Sequence, residues 1–147
     1  MAAVRQADVT WKGDLASGSG VVSASTSRAF NQLPVSWAAR TEAADGCTSP
    51  EELIASAHAS CFAMALSGGL GRAGARPERL EVSARVTFDN VGGGWKVVSS
   101  ELRVRGWVPG MDASTFQQQA EAAKEGCPVS QALKGNVALS VEASLEG

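Results

Sequence analysis

The sequence predicts an α+β fold with mainly antiparallel sheets. Three observations predict it. Over residues 80–89, Leu80, Val82, Ala84, Val86 and Phe88 alternate with Glu81, Ser83, Arg85, Thr87 and Asp89, the period of a half-buried strand. Glycine-rich turns separate stretches of this kind, so neighbouring strands pair as hairpins rather than through βαβ units. One long segment, TSPEELIASAHASCFAMALSGGL, has the start signal and composition of a buried helix instead.

Taken in order, residues 6–11 set Ala7, Val9 and Trp11 against Gln6, Asp8 and Thr10, which predicts a half-buried first strand. KGDLASGSG is a turn region, and residues 21–26 form the second strand. Residues 35–40 supply a short third strand, followed by a loop ending in ADGC. A helix then begins with Ser49 as N-cap, Pro50 at the first helical position and Glu52 at the third, the spacing of a capping box. It runs toward Gly68 or Gly71. The strand at 80–88 turns at NVGGG and returns over residues 95–108. Asp112 caps a helix to about Lys124, and EGCPVSQALKG opens a short helix with Pro128 first and Gly135 just past its end. Residues 137–145 close the chain as a strand. The order is βββ–α–ββ–αα–β. No repeat or linker interrupts it, so residues 1–147 are expected to form one domain.

Composition narrows the function. Thirteen basic against fifteen acidic residues give a net charge of −2, which argues against nucleic acid or an anionic membrane as partner. MAAVRQADVTW alternates polar and apolar residues and has no signal-peptide core. The apolar stretch at 55–66 is broken by Ser and His and is expected to be too short to span a bilayer. The expectation is a cytoplasmic protein. Three cysteines, Cys47, Cys61 and Cys127, argue against a secreted disulfide framework, and with one histidine and no CxxC they argue against a structural zinc site.

The central helix is small or apolar on every side after Glu52, so it is expected to be buried on every side. One small sheet covers only one face of such a helix, which predicts a second subunit over the rest. Cys61 lies in this helix. It is either a small core hydrophobe or a nucleophile, and burial alone raises a thiol's pKa, so the second role requires a cation or donors aimed at it. His58 lies three residues before Cys61 on the same face. It is either a partner for the thiol or a histidine satisfied in the core. Cys127 precedes Pro128 at a helix N-terminus, where free N–H groups and the helix dipole favour a thiolate. Local physics makes Cys127 the more acidic thiol. It leaves open which sulfur reacts first.

TSPEELIASAHASCFAMALS and GCPVSQALKG resemble the two cysteine motifs of the OsmC/Ohr family of thiol peroxidases, and most closely those of its OsmC branch. The resemblance extends through WKGD, NQLPVSWAAR and VPGMDASTF, and so covers nearly the whole chain. It implies an OsmC-like fold, with antiparallel sheets packed on a central helix in an intertwined homodimer whose active sites lie at the subunit interface. It implies Cys61 as the peroxidatic cysteine and Cys127 as the resolving one. Arg40 is then the arginine that holds the Cys61 thiolate, and Glu51 the glutamate that hydrogen-bonds that arginine. The implied substrates are organic hydroperoxides and hydrogen peroxide, with a lipoylated protein or another dithiol as reductant and no metal or flavin. Apolar residues near the site, among them Leu33, Trp37 and Phe62, are candidates to receive an alkyl chain. Cys47 departs from the family pattern and is expected to be inert. Two other readings stand beside this one: a dithiol–disulfide oxidoreductase or redox sensor using the same cysteines, and a non-catalytic ligand-binding module.

Overall fold

A computed structural model describes all 147 residues, Met1–Gly147. Ten elements follow one another: β1 (Ala7–Lys12), β2 (Ser19–Ala24), β3 (Leu33–Val35), α1 (Trp37–Thr41), α2 (Pro50–Arg72), β4 (Arg79–Val91), β5 (Gly94–Trp107), α3 (Ala113–Gly126), α4 (Pro128–Leu133) and β6 (Ala138–Leu145). The α+β class and the mainly antiparallel pairing agree with the sequence. The chain divides into two compact units, Met1–Leu53 and Ile54–Gly147.

The first unit is an antiparallel three-stranded sheet in the order β1-β2-β3. Its second strand buries Val22. The first strand was expected to be half-buried, but every residue of β1 is exposed, with Val9 at 61% and Trp11 at 39%. The expected third strand over 35–40 is also corrected. The strand stops at Val35, and Ser36 caps the short helix α1 by accepting a hydrogen bond from the Ala39 N–H. A serine cap followed by alanines outweighs the strand signal of an isolated valine.

Helix α2 starts as its sequence predicts. The Ser49 hydroxyl accepts from the Glu52 N–H at 3.1 Å, and the Thr48 hydroxyl donates to the Glu52 carboxylate at 2.7 Å. It continues past both candidate glycines to Arg72. At 23 residues, with a mean hydropathy of 1.4 over its apolar window, it is long and apolar enough to cross a bilayer by length and composition, contrary to expectation. Its burial is that of a core helix with one packed face. His58, Phe62, Leu66 and Leu70, spaced by four, are fully buried, while Met64 is 71% exposed. The expectation of burial on all sides is therefore not met within one chain.

The second unit is built on the sheet β4-β5-β6. The β4–β5 hairpin turns on Gly92 and Gly93, both with positive φ, the two-residue turn that matches strand twist. The last strand departs from the hairpin rule: β6 lies parallel to β5. Helices α3 and α4 supply the crossover that a parallel neighbour needs. Alternate residues of β5 (Ser100, Leu102, Val104, Gly106) point into the core, where Leu102 and Val104 join Phe62, Leu66 and Leu70 of α2 and Phe116, Ala120 and Ala123 of α3. Phe116 presses so closely on Gly106 that a Cβ there would lie 2.4 Å from its ring. Only glycine permits that approach.

Candidate active site

The sequence-predicted residues fall into two groups, one in each unit. In the first unit, α1 carries Arg40 and the opening turn of α2 carries Glu51. The guanidinium grips the carboxylate with both nitrogens of one edge: Arg40 Nε donates to Oε1 at 3.1 Å and to Oε2 at 3.2 Å, and Nη2 donates to Oε1 at 2.7 Å. This is the bidentate geometry that arginine forms and lysine cannot. Glu51 is buried, whereas the Arg40 side chain keeps 30% of its surface. The Trp37 ring lies 5.7 Å from the guanidinium carbon, a cation–π contact that further fixes the arginine's direction. Glu51 and Glu52 therefore do different jobs. One holds an arginine, and the other belongs to the helix cap.

The same unit contains an apolar cavity of about 430 Å³, lined by Trp11, Leu15, Val22, Trp37, Arg40 and Leu53 among others. Of the residues expected to receive an alkyl chain, Trp37 lines this cavity and Leu33 does not. Phe62 belongs instead to the core of the second unit, because it falls on the buried stripe of α2.

In the second unit, Cys61 of α2 and Cys127 at the start of α4 are drawn together. Both are free thiols, Cys61 partly accessible and Cys127 fully buried. Desolvation pushes the Cys61 thiol up, and the hydrogen bond it gives to Cys127 adds to this; the Val129 N–H acts the other way. Burial also raises Cys127, but hydrogen bonds from Cys61, from the N–H and hydroxyl of Ser130 and from the Val129 N–H outweigh it and hold the thiol below its ordinary pKa. Cys127 is the N-cap residue of α4. Within the chain, Cys127 is thus the more acidic of the pair.

His58 is not a partner of Cys61. It is fully buried, with Nδ1 2.7 Å from the Ser100 hydroxyl and Nε2 2.8 Å from that of Ser130. Burial lowers its pKa, so it is neutral at pH 7. Ser100 and Ser130 escape sequence reasoning. The signal for Ser130 is its place three residues after the N-cap Cys127; Ser100 carries none. Cys47 lies outside both groups, in the loop before α2, partly exposed and free.

The family model for OsmC, the OsmC-like proteins, matches residues 43–142. The chain is 45% identical to the peroxiredoxin OsmC of Escherichia coli over 132 residues, 90% of this chain and 91% of that protein. It is 32% identical over 109 residues to the organic hydroperoxide resistance protein OhrA of Bacillus subtilis, 70% of this chain and 72% of that protein. The crystal structure of the organic hydroperoxide resistance protein OhrB of Bacillus subtilis superposes with a TM-score of 0.75 at 26% identity, covering 95% of this chain and 98% of that one.

Proposed function

The chain belongs to the OsmC family, and on that premise we propose that it is a thiol peroxidase that reduces organic hydroperoxides, and hydrogen peroxide, with Cys61 and Cys127. The observation that carries this reading is the pairing of the two thiols in one unit, with one of them held toward its thiolate. The Cys61 thiolate attacks the terminal peroxide oxygen. The O–O bond breaks, the alkoxide takes a proton and leaves as alcohol, and Cys61 becomes a sulfenic acid. The Cys127 thiolate then attacks the Cys61 sulfur. The S–O bond breaks, the hydroxyl leaves with a proton as water, and a Cys61–Cys127 disulfide forms. An external dithiol, such as a lipoylated protein, restores both thiols by two exchanges and is itself oxidised to a disulfide. This chemistry suits the cytoplasm, where thiols are kept reduced.

Cys61 needs a cation, because desolvation and Cys127 both hold it in the neutral form. Arg40, oriented by Glu51, supplies that charge in our reading and polarises the peroxide. Glu51 and Cys61 lie ten residues apart on α2, roughly 15 Å along its axis, more than one arginine bridges. The Arg40–Glu51 pair of one subunit is therefore assigned to Cys61 of the partner subunit in a homodimer. The exposed Val9, Trp11 and Met64 supply apolar surface for that interface. The apolar lining of the cavity beside Arg40 supports a role in receiving the alkyl group. In this reading, the two units work as one domain.

The reduced protein should consume one equivalent of organic hydroperoxide per site without added reductant and lose two thiols. A dithiol–disulfide oxidoreductase would exchange disulfides yet leave peroxide untouched, and a binding module would do neither. The two neighbouring carboxylates give a second test. Glu51→Gln should slow peroxide reduction roughly tenfold or more by loosening Arg40. Glu52→Ala should lower stability by about 1 kcal/mol, a typical cap effect, and leave the rate unchanged. Because Glu51 is buried, rates are compared at a temperature where both variants are folded. The opposite pattern would exchange the two roles.

A further inference from the structure

The proposed peroxidase cycle makes no use of His58, yet the fold invests in it. It is the one histidine of the chain, it is fully buried, and both its nitrogens are satisfied by hydroxyls from different elements, Ser100 of β5 and Ser130 of α4. A leucine or phenylalanine would fill an apolar position without needing two partners. Ser130 occupies the third position of α4, and Cys127 is that helix's N-cap. The Ser130 hydroxyl is in turn among the donors that reach the Cys127 sulfur.

We infer that His58 is a positioning residue for the second thiol: through the Ser130 hydroxyl it anchors a directed run of hydrogen bonds that ends at Cys127 and readies that sulfur to close the disulfide. The direction follows from counting protons. A serine hydroxyl has one to give. If Ser130 donates to the Cys127 sulfur, its oxygen must accept from His58 Nε2–H. His58 Nδ1 is then the acceptor, and the Ser100 hydroxyl donates to it. A neutral histidine in this single tautomer satisfies every contact, and its burial keeps it neutral. Each member fixes the next, so the Ser130 proton stays aimed at sulfur rather than at a backbone carbonyl one turn away. The titratable groups facing Cys127 are Cys61, directly, and His58, through Ser130, both from α2. From α3, the Ala123 carbonyl accepts the Cys127 N–H, and the nearby Lys124 and Glu125 form an ion pair at 3.6 Å.

This inference rests on Cys127 being the resolving thiol, and the experiment separates the two. Reduced protein carrying carbon-13-labelled cysteine is titrated by NMR, which follows each thiol on its own signal. The wild-type Cys127 midpoint is the reference. Ser130→Ala and His58→Phe should each move the Cys127 midpoint up by about one unit, the size of one lost hydrogen bond to a charged group. Disulfide closure after peroxide at pH 7 should slow about tenfold as the thiolate fraction falls. His58→Gln, whose amide N–H still donates to Ser130, should keep a midpoint near the wild-type value. A role in packing alone predicts the reverse order, with phenylalanine tolerated and glutamine disruptive. Ser130→Ala removes a single hydroxyl and keeps the test open if His58→Phe does not fold. An unmoved Cys127 midpoint in Ser130→Ala, with a normal wild-type disulfide, overturns the inference alone. A wild-type protein that forms no Cys61–Cys127 disulfide overturns the resolving role, and this inference with it.

Discussion

Cys61→Ser protein should lose peroxide reduction by at least about a thousandfold, because a serine hydroxyl offers no anion at neutral pH where the cysteine offers a thiolate. Cys127→Ser should behave differently. It should consume one equivalent of hydroperoxide, stop at the Cys61 sulfenic acid, and fail to turn over with a dithiol that reduces only disulfides. A sulfenic acid trap such as dimedone should label Cys61 in that variant. The pair of results assigns order, which local electrostatics does not: within the chain, Cys127 is the more acidic thiol. If Cys127→Ser were inert and Cys61→Ser consumed an equivalent, Cys127 would be the attacking sulfur.

The second large effect concerns the sharing of sites between subunits. Dimers of Cys61→Ser and dimers of Glu51→Ala should each be weakly active or inactive. When equal amounts are mixed and exchange freely, half of the dimers are mixed, and each mixed dimer rebuilds one complete site of its two. About a quarter of wild-type activity should return. The complete site takes Arg40 and Glu51 from the Cys61→Ser chain and both thiols from the Glu51→Ala chain. Arg40 and Glu51 are bonded to each other within one chain, so Arg40→Ala should substitute for Glu51→Ala in the same experiment. Verified exchange without recovery would place arginine, glutamate and thiol in a single chain.

Much of the architecture was legible because its signals are local. The start of α2 was readable because Ser49, Pro50 and Glu52 occupy positions with distinct chemistry, and the β4–β5 hairpin because alternation on both sides meets a glycine turn. The direction of β6 was not, since an alternating pattern is the same for a parallel strand as for an antiparallel one. Helix α1 was hidden by its five-residue length, too short for a helical period to stand out. The exposure of β1 and of much of α2 depends on what lies beyond the chain's own core, which periodicity does not report. The same division runs through the site. Cys61 and Cys127 stood out by their settings. The pairing of Arg40 with Glu51 came from family resemblance, because no spacing rule brings a residue of one short helix onto the first turn of the next. The hydroxyls on His58 lie 42 and 72 residues away in sequence, and only tertiary structure brings them there.

One covalent bond decides the mechanism. Reduced protein treated with one equivalent of organic hydroperoxide, alkylated and digested, should yield Cys61 and Cys127 peptides joined within one chain and Cys47 fully alkylated. A dominant disulfide containing Cys47, or peroxide consumed with Cys61 and Cys127 both still alkylatable, would contradict it.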